Sequence, residues 1–153
     1  MFQLYSKGCE YAIKALIQMR DPDQNYSAKQ ICKRARIPES FSRKIFQALV
    51  RGGFLEAIQG PGGGYCLRQH PKKISVLDIV RAVEGNQTFN QCVMGLSRCV
   101  ERNPCALHDS WLKAKEKLTS ELREKRLQDL IDTYDDRNEH GKSKKSAEKE
   151  KKT

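Results

Sequence analysis

The sequence predicts a mainly α fold with one small β-hairpin. Three observations carry that expectation. Apolar residues recur at helical spacing in five separate stretches. One pair of strand-like runs, near Leu55 and Cys66, brackets a turn of consecutive glycines. A length of 153 residues suffices for one hydrophobic core with an appendage, though hardly for two independent cores.

From Lys7 to Met19 the residues Tyr11, Ala12, Ala15, Leu16 and Met19 share a helical face, and Asp21-Pro22-Asp23 ends that element. Ser27 is placed to cap a short helix reaching about Ala35, with Gln30 three positions on completing a capping box. Cys32 lies on the apolar side of this helix and is expected in the core. Pro38 interrupts the chain and starts a further helix, in which Phe41, Ile45, Phe46, Leu49 and Val50 face inward. Ser40, Ser42, Arg43, Lys44, Gln47 and Arg51 face outward, and Gly52-Gly53 closes it.

Two short helices joined by a tight turn, the second with a basic and hydroxyl-bearing outer face, have the layout of a helix-turn-helix. A helical hairpin in an ordinary bundle would carry the same pattern. The runs Phe54–Ile58 and Cys66–Arg68, with QGPGGGY between them, then add a β-hairpin in the position of a wing. There Gly62, Gly63 and Gly64 allow backbone shapes closed to other residues and a close approach to a neighbour, expected to be a phosphate or the minor groove. A nucleotide-binding glycine loop is disfavoured, because no Lys-Ser/Thr pair and no helix follow. Cys66 is expected to be packed. Ser75 and Asp78 form a second expected capping box, for a helix carrying Leu77, Ile79, Val80 and Val83 and closed by Gly85-Asn86.

A long helical pattern runs from about Asp109 to Tyr134, with Leu107, Trp111, Ala114, Leu118, Leu122, Leu127, Leu130, Ile131 and Tyr134 on one stripe. At 1.5 Å per residue it would span ~38 Å, more than a small winged domain covers. Pairing with its own copy in a homodimer solves this, and sets two reading helices a duplex turn apart for a palindromic operator in double-stranded DNA. The expected organisation is a winged helix-turn-helix DNA-binding domain at 1–85, a cysteine loop at 86–108, a long dimerisation helix at 109–134 and a disordered basic tail at 135–153. That tail is nearly free of apolar residues and rich in lysine.

A net charge of +10 and a pI near 9.4 suit an anionic partner, nucleic acid before a membrane surface. No apolar run approaches bilayer-spanning length, and Lys7, Glu10 and Lys14 interrupt any signal-peptide layout, so the expected setting is cytoplasmic. Six cysteines in such a setting are expected to stay reduced. The DNA-contacting set expected on these elements is Lys29, Ser40, Phe41, Ser42, Arg43, Lys44 and Arg51 from the helices, with Gln59, Gly62, Gly63 and Gly64 from the wing.

The loop CVMGLSRCVERNPCALH spaces Cys92, Cys99, Cys105 and His108 as C-x6-C-x5-C-x2-H. Thiolate and imidazole suit iron–sulfur clusters, zinc and copper(I). The intervals are wider than the paired C-x2-C knuckles of zinc modules, which leaves room for a centre broader than one ion. On spacing alone, cluster and zinc both stay open, as does a metal-free thiol or disulfide switch. An enzyme using Cys105 and His108 as nucleophile and base is disfavoured, since no third group orients the pair and no substrate-pocket pattern is present.

Taken together, GPGGGY at Gly60 to Tyr65, SVLDIVRAVEG at Ser75 to Gly85, and the three cysteines with C-x2-H and Trp111 resemble the IscR/NsrR type of winged-helix bacterial transcription regulators. The likeness runs from about Tyr5 to Tyr134. It implies a DNA-binding regulator whose operator binding responds to a cluster sensing redox, nitric oxide or iron status. Cys92, Cys99 and Cys105 would be ligands, with His108 as the fourth as in the IscR branch, where the cluster is [2Fe-2S]; [4Fe-4S] is the other possibility. In the NsrR branch a first-helix carboxylate of the other subunit serves instead in some members, and Glu10 falls close to that position. Two departures bear on DNA preference. Gln59 stands where the family commonly has Arg, and Arg43 stands where IscR-like proteins have an acidic reader.

Overall fold

The computed structural model describes residues 4–96 and 102–137. Its elements are α1 (Lys7–Ile17), α2 (Ala28–Ala35), α3 (Glu39–Arg51), β1 (Leu55–Ile58), β2 (Gly64–Leu67), α4 (Val76–Glu84), α5 (His108–Glu124) and a further helix, α6, over 127–137. The mainly helical class with a two-stranded antiparallel wing is borne out.

Local signals explain most boundaries. Ser6 accepts from the Cys9 N–H to cap α1, and Ser27 with Gln30 forms the expected capping box at α2. Arg36 closes α2 in the left-handed region at φ 54°, donating its N–H to Cys32, a conformation that costs a non-glycine residue about 1 kcal/mol. The strands pair Leu55 with Leu67 and Ile58 with Gly64. The core runs through α1 to α4, both strands and α6, with Leu122 of α5 partly buried against it. Leu16, Ile31, Phe46, Leu49, Leu55, Ile79 and Val80 are all at most 1 % exposed, and Phe46 stacks on Tyr65 of the wing with ring centroids 4.7 Å apart. Cys32 is buried as expected, whereas Cys66 is only half-buried.

Two expectations need correction. The Ser75–Asp78 capping box does not form. Ser75 is buried with its hydroxyl toward the Leu122 carbonyl (3.5 Å), and the Val76 N–H donates instead to the Lys125 carbonyl at 3.0 Å. A backbone carbonyl has replaced the side-chain cap.

The second correction follows from the first. The expected continuous helix over 109–134 breaks at Lys125, which is extended (ψ 136°), and Arg126 forms a bridge with Ser75. The Leu127 N–H returns a bond to the Ile74 carbonyl at 2.9 Å. The break turns α6 so that Leu127 and Ile131 enter the core built by α1 to α4, at 0 % and 3 % exposure. Two of the nine stripe residues assigned to a partner are thus buried within the chain, and Leu122 and Leu130 pack partly buried against the same core. Arg20, three residues past α1, holds Asp135 of α6 through two bonds of 2.5 and 2.6 Å. Residue 135, expected to begin the tail, is therefore helical; the rest of the tail, 138–153, lies outside the described residues.

Candidate nucleic-acid interface and cysteine loop

The outer face of α3 presents Ser40, Arg43, Lys44, Gln47 and Arg51, all exposed, with Lys29 exposed on α2. Phe41 is 51 % exposed and packs edge-on against Tyr11, with centroids 5.7 Å apart. That corrects its assignment to the core: position 41 turns toward α1 at the rim of α3. Ser42 is half-buried, and its hydroxyl donates to the Glu39 carbonyl at 2.7 Å. Lys33, Arg34 and Arg36 are also exposed, and they extend the positive surface beyond the residues singled out from sequence. Their crowding at 33, 34 and 36 was the available signal.

The wing is held by a strap that sequence reasoning missed. Tyr26 and Tyr65 exchange both backbone bonds at 2.8 Å, which adds a one-residue third strand beside β2. The Asn25 amide donates to the Gly62 carbonyl at 2.6 Å. A Cβ at Gly64 would run into the Tyr26 carbonyl and stand 2.8 Å from Asn25 Oδ1. The close neighbour of that glycine is the protein's own backbone. Gly62 has φ 73°, and the Gly63 N–H closes the tip by donating to the Gly60 carbonyl at 3.0 Å. Gln59 is exposed beside them. A single bridge leaves no periodicity in a sequence, so nothing in the pattern pointed to Asn25 or Tyr26.

Behind α3, Glu10 lies between Lys14 (2.6 Å) and Lys7 (2.7 Å), and these ammonium groups, that of Lys14 foremost, hold its carboxyl below the usual range. Burial, with the nearby Glu84 charge, pushes the Cys9 thiol up to about 12, which keeps it an unreactive core group. Glu84 in turn receives the Ser6 N–H at 2.9 Å and contacts the Ser6 hydroxyl.

In the loop, Cys92 and Cys105 are free, half-buried thiols, and Cys99 lies outside the described residues. His108 is buried at the first position of α5, its N–H donating to the Cys105 carbonyl at 3.0 Å. Trp111, one turn further on, donates its indole N–H to the Gln91 carbonyl at 3.0 Å. This bond ties the residue before Cys92 to the helix that carries His108, so the loop is closed at its base. Among the described residues no three His, Cys, Asp or Glu side chains are gathered tightly enough to hold a metal ion. The donor set itself, two described thiols on a closed loop with a buried imidazole at its end, fits a soft-metal or iron–sulfur centre in chemistry.

Comparisons with known proteins agree with this architecture. The family model described as Rrf2, iron-dependent transcriptional regulator, matches residues 5–133. The chain is 29 % identical over 135 residues to the HTH-type transcriptional regulator IscR of Yersinia pseudotuberculosis, covering 87 % of this chain and 81 % of that one. It is 28 % identical over 131 residues to a putative HTH-type regulator of Aquifex aeolicus, covering 84 % and 91 %. Among solved structures it resembles CymR, the global cysteine regulator of B. subtilis, with a TM-score of 0.72, 22 % identity and coverage of 87 % and 98 %. Among the described residues no helix is long and apolar enough to cross a membrane. The chain belongs to the Rrf2 family of helix-turn-helix transcriptional regulators, which bind DNA and are not enzymes.

Proposed function

We propose that the chain is a homodimeric regulator that grips a palindromic operator and whose grip is governed by an iron–sulfur cluster on Cys92, Cys99 and Cys105, with His108 as fourth ligand. The observation that carries this reading is the bond from Trp111 to the Gln91 carbonyl, which returns both ends of the loop to one place. The family's description as iron-dependent agrees with an iron centre. When bound, such a centre, [2Fe-2S] or alternatively [4Fe-4S], supplies a crosslink among thiolates that oxidation, nitric oxide or iron loss breaks.

The protein's own part is to convert that crosslink into geometry. Cys92 follows the turn after α4, and Cys105 sits one turn ahead of α5, so drawing them together orders 92–108 and sets how α5 leaves the body. α5 then offers Leu112, and the loop Val93, Met94, Leu96 and Leu107, all exposed apolar side chains suited to a second copy. A switch from mostly off to mostly on needs ~5.5 kcal/mol of difference between the two arrangements. On the duplex, Arg43 reads a base edge while Lys29, Lys44, Arg51 and Ser40 bind phosphates. Phe41, Ser42, Gln59 and the backbone at Gly62 and Gly63 complete the contact set, while Gly64 lets the wing close on Tyr26.

Half-buried free thiols at Cys92 and Cys105 also suit a second reading, a metal-free disulfide switch, and the same donors suit a structural zinc. Anaerobic absorption spectra with iron and sulfide counts test the proposal. Coloured, iron-containing protein that loses both colour and operator preference in Cys105→Ala is the expected result. Protein that stays colourless and iron-free after reconstitution, yet binds its operator unchanged, overturns it. One zinc per chain, or a disulfide mapped between loop cysteines, would select the corresponding alternative.

A further inference from the structure

A cavity of about 400 Å3 lies between α4 and α5, with no residue of the reading helix or the wing in its own lining; Arg81 and Asn86 also border a neighbouring hollow that reaches Ala48 and Arg51 of α3. Arg81 of α4 and Lys115 and Arg123 of α5 line it, with the Asn86 amide at one end and Glu116 as the one carboxylate. Among the described residues none of the three cations is in an ion pair, although ion pairs form elsewhere, on α1 and between Arg20 and Asp135. Three positive groups around one concavity repel one another, and an anion in their midst would relieve that repulsion. Two guanidinium forks and one ammonium match the oxygens of a phosphoryl or carboxyl group. The volume suits a small molecule, not a duplex.

We propose that this cavity is a binding site for a small polyanion, a phosphorylated or polycarboxylate metabolite. Its walls belong to three parts of the chain: the last helix before the cysteine loop, the turn Thr88–Asn90 that leads into Cys92, and α5. A ligand bridging them would hold α5 against the DNA-binding domain and brace the base of the loop. The site stands independently of whether the loop carries a cluster.

Calorimetric titration of the full chain with pyrophosphate and with citrate at low salt tests this, the two probes distinguishing phosphoryl from carboxyl recognition. Saturable binding of one of them at one site per chain is expected, weakened about ten-fold or more in each of Arg81→Gln and Arg123→Gln. Lys117→Gln, which removes an exposed cation of α5 that does not line the cavity, should bind as the parent does. Absence of saturable binding up to about 10 mM of either probe overturns the proposal. So does equal weakening in Lys117→Gln, which would mark a general charge effect. A third overturning result is loss of random-sequence duplex affinity and of salt slope in Arg81→Gln without any anion binding, which would give the cations to a DNA backbone. Circular dichroism on each variant separates a folding defect from a binding one.

Discussion

Between Lys7 and Glu84 each α-helix buries side chains in a common core, and Leu16, Phe46, Leu49, Ile79 and Val80 are essentially sealed from water. Between Gly85 and Leu107 no described residue is buried, and Val93, Met94, Leu96 and Leu107 are each at least 46 % exposed. The first region is held by apolar burial that needs nothing from outside the chain. The second rests on Phe89, partly buried against the core, and on a few hydrogen bonds, chiefly that of Trp111, and leaves Val93, Met94, Leu96, Leu107 and the described thiols Cys92 and Cys105 uncommitted. Segments with few buried contacts open at low free-energy cost, and a bound ligand or partner supplies the missing constraint. The comparison shows where regulation can act without unfolding the reader.

The sharpest break in that contrast is a pair of substitutions. Phe46→Ala removes a ring at 1 % exposure that also stacks on the wing, and should cost about 3–5 kcal/mol in chemical denaturation. Cys105→Ala in cluster-free protein should change stability by no more than about 0.5 kcal/mol. If the two losses were comparable, the loop would be part of the core and the division would fail. Next in size, Gly64→Ala forces a methyl against the Tyr26 carbonyl and should cost about 1–3 kcal/mol, read as a lower thermal midpoint.

The division also separates what a sequence shows from what it hides. Periodicity located α1 to α4 and the hairpin, and the Ser27–Gln30 box and the Gly52 stop marked the start of α2 and the end of α3, because each signal is complete within four or five residues. The break at Lys125 was hidden because its cause is remote. Residues 125–127 exchange backbone bonds with Ile74 and Val76, some 50 residues away, and the stripe from Trp111 to Ile131 reads as continuous without them. Asn25 was hidden for the same reason, its partner being the Gly62 carbonyl. The four loop donors were legible as chemistry, since thiol and imidazole spacing is a sequence property. Their mutual geometry was not.

Asn25→Ala sharpens the reading half further. Loss of its 2.6 Å bond should cost about 1 kcal/mol in stability. The strap's role in aiming the wing appears in a double-mutant cycle with Gln59→Ala on operator affinity. Gln59→Ala should weaken binding in the parent and have little further effect once Asn25 is gone. No effect of Gln59→Ala in the parent removes the wing tip from the DNA contact. An equal effect in both backgrounds keeps that contact and removes the strap from its aim.

The smallest expected effect connects the two regions. Glu10 is a depressed carboxyl between Lys14 and Lys7 on α1, exposed enough that solvent screens both pairs and each contributes little. Because its folded pKa lies below the ordinary 4.5, its contribution is present above that value and fades as pH falls through the folded one. Glu10→Gln should therefore lower the thermal midpoint slightly at neutral pH and not at all at strongly acid pH, with added salt shrinking the difference. The same variant addresses the loop. A carboxylate already satisfied by two ammonium groups must leave them to reach a partner's cluster, whereas His108 is in the loop's own sequence. Iron content unchanged in Glu10→Gln but lowered in His108→Ala assigns the fourth ligand to the imidazole. The opposite outcome would mean that α1 of the partner completes the site, and the DNA-reading half would then no longer be indifferent to the loop.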